Sequence, residues 1–270
     1  MEVKIYKKSG ATFTDFSSVK DYYGTAKTIA LLSTDYLYIG SPFKFNSFYV
    51  KLSTPNTTTS TLGVQLWNGT IWENALEVSD NTDGFKNSGS VDFIPDKYKT
   101  WNSDDTNRID SNMPIVYLWY WVRINFSVTL SPSPIVAYLG HLFVNSDTPL
   151  TSEYPILSSS SLKTAYKAGK TDWEEQRFLA TELTIESLIQ KNIIKSGNEI
   201  LDISRVRLPT VAKTAQVIFS GMGDDYIQQT QAARDEFERR IHSNLFYVDH
   251  ANTAIVDHIS RELRQGRMSR

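Results

Sequence analysis

Alternating apolar and polar positions organise the first half of the chain. Phe43–Leu52 (FKFNSFYVKL) sets Phe43, Phe45 and Ser47 on one face and Phe48 and Val50 on the other, and the switch of apolar face after Phe45 predicts a bulge. Gly63–Trp67 alternates Val64 and Leu66 against Gln65; Asn68-Gly69 follows, then Thr70, Ile71 and Trp72. Asn-Gly between two β-prone runs is a strong hairpin signal, because both residues accept positive φ. Asp83-Gly84 and Gly89 mark further turns, Val91 and Phe93 a short strand, and Tyr117–Phe126 and Ile135–Val144 two longer ones. Seven or eight short strands parted by turn residues, with no helical period, predict an antiparallel β-sandwich, jelly-roll or immunoglobulin-like, over residues 1–150.

The period changes in the second half. Thr171 or Asp172 with Glu174 or Glu175 three residues on makes a capping box in either register. Phe178, Ile185 and Ile189 then recur at helical spacing, as do Leu179 and Leu183, up to Gly197-Asn198. Pro209 suits the first turn of a second helix, which carries Val211, Ala215, Ile218 and Phe219 to a stop at Gly221-Met222-Gly223. Asp224 or Asp225 caps a third helix with Tyr226, Thr230, Ala233, Phe237 and Ile241 on one stripe, and residues 254–265 read as a final short helix. The fold class is therefore α+β, with a small C-terminal α-helical bundle over residues 162–270. Between the halves, residues 146–161 (SDTPLTSEYPILSSSS) are rich in Ser, Thr and Pro without periodicity; the stretch 151–161 reads as the linker. A bundle this thin is the kind that partner subunits complete.

Composition narrows the chemistry. The 270 residues carry a net charge of −2 and no Cys, which excludes a disulfide scaffold, a thiolate metal site and a Cys nucleophile. The longest apolar run, Pro114–Val122, falls far short of the roughly 20 residues of a membrane helix, and the first ten residues have no apolar leader core. Near-zero charge argues against a protein that coats nucleic acid.

No sequence motif for nucleophilic, nucleotide-binding or zincin chemistry occurs, so no cofactor is expected and the chain reads as a non-enzyme. His141, His242, His250 and His258, with Asp249 and Asp257, lack a metal-ligand pattern and read as solvated or interface residues. The acid pairs Asp104-Asp105 and Asp224-Asp225 read as caps or surface, and Asp80, Asp83 and the 104–110 loop as solvated turns rather than a calcium site. Two features are sharper. Five tryptophans, Trp67, Trp72, Trp101, Trp119 and Trp121, fall in the sandwich, where alternation points large rings to both sheet faces; they fill the core and subunit contacts or offer a sugar- or partner-binding face. Arg261, Arg264, Arg267 and Arg270 make a basic C-terminus, a solvated tail or a docking element.

The stretch Asp172-Trp173-Glu174-Glu175-Gln176-Arg177, the helices through Asp224-Asp225-Tyr226 to Ile241, Tyr247–Asn252 and Ile255–Leu263 resemble the head–tail connector (neck adaptor) proteins of tailed phages. Trp67–Trp72, Asp80–Phe85 and Tyr120–Ile124 are similar in kind to sandwich modules of phage neck and baseplate proteins. Many connectors consist of the helical part alone, so the sandwich would be an added outer domain. The resemblance implies a structural virion protein at the head–tail junction, assembled from the host cytoplasm into a dodecameric ring. Such a ring docks on the portal and on other neck or tail proteins, passes DNA through its centre and touches no membrane. The competing expectation is a carbohydrate- or receptor-binding module of a phage tail or baseplate.

Overall fold

A computed structural model describes residues 3–95, 101–244, 246–248 and the backbone of 258–260. The chain divides into two compact units, one ending at His141 and one beginning at Leu142.

The first unit is a β-sandwich. Its strands are β1 (Lys4–Ser9), β2 (Thr12–Asp15), β3 (Lys27–Thr28), β4 (Tyr36–Ser41), β5 (Ser47–Thr54), β6 (Leu62–Trp67), β7 (Trp72–Asn74), β8 (Glu77–Asp80), β9 (Gly89–Ile94), β10 (Ser103–Asp104), β11 (Trp119–Phe126) and β12 (Ile135–Gly140). One sheet runs β2-β1-β4-β11-β6-β7, with β10 also on β11; the other runs β3-β12-β5-β9-β8. Every pairing between these strands is antiparallel. Ile5, Leu37, Ile39, Val64, Leu66, Val122 and Ile124 from the first sheet meet Phe48, Val50, Val91, Phe93, Val136 and Leu139 from the second in one apolar core.

The Asn68-Gly69 signal forms a hairpin that pairs Trp67 with Trp72. Its loop has four residues: the Asn68 N–H donates to the Ile71 carbonyl at 3.1 Å, Asn68 Oδ1 accepts from the amides of Thr70 and Ile71, and Gly69 takes φ +99°. The expected bulge after Phe45 is instead the strand's start. Phe45 is buried ahead of β5, which begins at Ser47, so Phe45 and Phe48 reach the core from different backbone geometries.

The second unit is helical. It contains α2 (Thr148–Glu153), α3 (Ser160–Tyr166), α4 (Glu174–Gln190), α5 (Ile203–Gly221) and α6 (Ile227–Ser243), following α1 (Thr106–Ile109) in the sandwich. The segment read as a linker is folded. Residues 148–153 and 160–166 are helices, and Leu150, Leu157 and Leu162 are buried against Trp173, Val211 and Ile218. Asp147 holds the segment's start by accepting from the Trp173 amide at 3.1 Å and pairing with Arg177 Nε at 3.0 Å, while the Trp173 indole N–H donates to the Leu157 carbonyl at 2.8 Å. Three leucines spread among Ser, Thr and Pro leave no period, yet each finds a place in the core.

Three helix expectations change. α4 stops at Gln190, not at Gly197, and its buried face carries Phe178, Ala180, Thr181, Thr184 and Leu188, leaving Leu179 and Ile189 exposed. The threonines are tolerated inside because their hydroxyls donate to the carbonyls of Arg177 and Ala180 one turn back. α5 starts at Ile203, with Asp202 Oδ1 accepting from the Ser204 amide, so Pro209 lies inside the helix rather than in its first turn. The stripe of α6 is as expected at Ala233, Phe237 and Ile241, all buried. In the region read as a final helix, His258–Ser260 is a strand (β14) antiparallel to Phe246–Val248 (β13).

Candidate functional site

The outer face of the first sheet gathers four of the five tryptophans that sequence reasoning singled out. Alternation sends Ile5, Leu37, Ile39, Val64, Leu66, Val122 and Ile124 inward, so their neighbours Tyr6, Tyr36, Tyr38, Gln65, Trp67, Trp119, Trp121 and Arg123 point outward. Register then aligns Tyr6, Tyr38, Arg123, Gln65 and Asn74 in one row across five strands. Within it, Arg123 Nε donates to Gln65 Oε1 at 2.6 Å and Gln65 Nε2 donates to Asn74 Oδ1 at 2.9 Å. Rings flank the row on both sides. The guanidinium carbon of Arg123 stands 4.3 Å from the Tyr36 ring centroid and 4.7 Å from that of Trp72. Tyr38 meets Trp72 edge-on at 5.4 Å, and Trp72 lies 5.3 Å from Trp67.

A strap covers one end of the face. α1 and the loop after it bring Met113, Ile109 and Val116 over Trp67 and Trp121. Thr106 closes the strap, since its hydroxyl donates to the Pro114 carbonyl and accepts from the Val116 amide. Asp104 Oδ2 accepts from the Trp67 indole N–H at 3.2 Å, and Asp110 pairs with Lys8. The result is graded exposure: Trp121, Trp67, Tyr6 and Tyr38 are buried, while Phe13, Tyr36, Trp72, Trp119 and Arg123 are half-buried.

Titration follows this burial. Desolvation raises the Tyr38 phenol above its ordinary value against the opposing pull of Arg123, and burial with the nearby Asp15 charge raises Tyr6. At Asp110 burial pushes the carboxyl up, but hydrogen bonds from Lys8 and Asn112 outweigh it and hold it below the usual carboxylate range.

Four of the five tryptophans thus share a face. Trp101 does not: it lies in the sandwich core, 5.7 Å from Phe45, and its indole N–H donates to the Trp121 carbonyl. Sequence reasoning missed Tyr6, Tyr36, Tyr38, Gln65 and Arg123 as members of this face. The alternation of Tyr36 and Tyr38 with Leu37 and Ile39 was the signal that could have found the tyrosines.

Other candidates separate. Asp104 is buried against Trp67 and Arg108, and Asp105 Oδ1 accepts from the Leu118 amide, so that pair is structural rather than surface. Asp80 spends its carboxylate on Thr82 and the Gly84 amide. His141 is buried, and His242 lies 3.9 Å from Glu238 on the same helix. Among the described residues no group of three or more His, Asp or Glu is placed to hold a metal ion. Arg261, Arg264, Arg267 and Arg270 lie outside the described residues, as do His250, Asp249 and Asp257. No described helix is long and apolar enough to cross a membrane.

No protein-family model matches this chain, and no curated protein matches it in sequence.

Proposed function

We propose that this chain is a structural virion protein, a ring-forming adaptor of the phage neck that docks on the portal and passes DNA through its channel. It does no catalysis; the helical unit builds the ring and the sandwich is carried with it. The observation that supports this most is the surface of the helical unit. Among the described residues its core forms two apolar clusters, and each long helix also presents a branched aliphatic to solvent. Leu179 and Ile189 do so on α4, Leu208 on α5 and Ile227 on α6, with Ile227 66% exposed. Single exposed aliphatics are ordinary, but one set per helix on a thin unit is what a head-to-tail interface covers when rotation closes a ring. Negative-stain imaging and sedimentation of the full-length protein test the reading. Rings that Leu208→Asp with Ile227→Asp reduces to folded monomers support it. Monomers at every concentration, or rings unaffected by the two substitutions, overturn it.

A further inference from the structure

The geometry points to a saccharide-binding site on the outer sandwich face, selective for acidic pyranoses that carry a ring carboxylate. It is independent of ring formation. The first observation is the cation. Arg123 is half-buried at the centre of the face, and among the described residues no carboxylate lies within 4 Å of it, whereas Lys8 nearby is neutralised by Asp110. A guanidinium held without a counter-ion is complementary to an incoming carboxylate, which its planar N–H fork can bind through two parallel bonds. The second observation is its surroundings. Tyr36 and Trp72 both lie against the guanidinium, and because each ring is only half-buried, part of it stays open to sugar C–H groups. The amides of Gln65 and Asn74 continue the same row and can exchange hydrogen bonds with hydroxyls.

The third observation is rigidity. Trp72 is backed by Tyr38 and Trp67, and Arg123 is pinned through Nε to Gln65, so little side-chain freedom remains to be lost on binding. Polypeptide interfaces are also enriched in Arg, Tyr and Trp, so the polar row decides the occupant. The Gln65 and Asn74 amides beside the cation match hydroxyls set next to a carboxylate on one sugar ring, and a polypeptide on this face is the outcome that the Trp72→Ala arm below would reveal.

The test titrates the full-length protein with oligogalacturonate and with the same oligomer after methyl esterification, following tryptophan fluorescence and heat. The acid form is expected to bind at least tenfold more tightly than the ester, with the difference shrinking as salt rises. Arg123→Gln, which retains a planar partner for Gln65, should bring the acid form to the level of the ester. Trp72→Ala should weaken both forms. Equal binding of acid and ester, binding of neither, or full acid preference in Arg123→Gln overturns the site. So does a Trp72→Ala protein that binds normally but loses copies from its ring, which would give the face to a second copy. Should Arg123→Gln fail to fold, the wild-type comparison of acid and ester with its salt dependence decides alone.

Discussion

Gly40 lies directly beneath the indole of Trp121. The two residues are cross-strand partners on β4 and β11, and a Cβ placed on Gly40 would sit 2.6 Å from the far edge of the ring. No real Cβ tolerates that approach, so the ring's position depends on the missing side chain. Trp121 in turn carries Tyr6 at 6.0 Å and Trp119 at 6.4 Å, which makes Gly40 the floor of the aromatic face.

Gly40→Ala is expected to destabilise the sandwich by about 1–3 kcal/mol, the range for overpacking. Chemical denaturation checks it. Combined with Trp121→Leu, the same substitution should cost less than alone, because the clashing ring edge has gone. An additive pair would show that the contact does not set the ring's position.

Inside α5, Pro209 has no N–H to give to Arg205, four residues back, and the freed carbonyl is taken by the Asn244 side-chain amide at 3.1 Å. Arg240 adds a bond to the Leu208 carbonyl at 2.8 Å and an ion pair with Glu153 at 2.8 Å, so the end of α6 supports the interruption in α5. Asn244→Ala should cost about 0.5–1.5 kcal/mol. In a Pro209→Ala background, where residue 209 can donate to Arg205 itself, the cost should vanish. Thermal unfolding of the four proteins measures the coupling.

Residues 148–166 are expected to resist limited proteolysis for as long as the helical unit stays folded. Leu150 and Leu157 are fully buried, and Trp173 and Asp147 fasten the segment. Mass spectrometry of early fragments checks this. First cleavage within 148–166 would contradict the packing described.

Hydrogen bonds from Arg239 outweigh modest desolvation and, with those from Arg240, pull the Glu236 carboxyl down to about 2 from its ordinary value of 4.5. A carboxyl depressed on folding stabilises the native state above its unfolded value, and that contribution is lost as pH falls through the native one. Glu236→Gln should therefore cost up to about 1 kcal/mol at neutral pH, kept small by solvent screening. The gap between variant and wild type should close between pH about 4.5 and 2. Urea midpoints across that window test it, and a gap independent of pH would remove the ion pairs as its cause.

Local signals explain which parts of this fold were legible in the sequence. Asn68-Gly69 revealed its hairpin because turn chemistry acts over four residues, and the stripe of Ala233, Phe237 and Ile241 was readable because α6 has one wet side. β1 was hidden: its lysines lie beside Ile5 and Tyr6, and only pairing with β4 makes it a strand. α4 misled because its inner face uses Thr181 and Thr184, whose back-bonded hydroxyls no hydrophobicity pattern records. Trp101 and Trp67 look alike in sequence, and alternation alone does not tell that Trp101 joins the sandwich core while Trp67 joins the outer face. The row from Tyr38 through Arg123 to Gln65 and Asn74 joins β4, β11 and the β6–β7 hairpin, three pieces far apart in the chain, so only register reveals it.

The most direct test of the proposed role is imaging of the purified full-length protein by single-particle electron microscopy, with its mass fixed by light scattering. The expected particle is a closed ring with rotational symmetry, helical units lining the channel, and a mass that is an integral multiple of 30.7 kDa. A particle of one copy, or an open assembly joined through the sandwich faces, would contradict it.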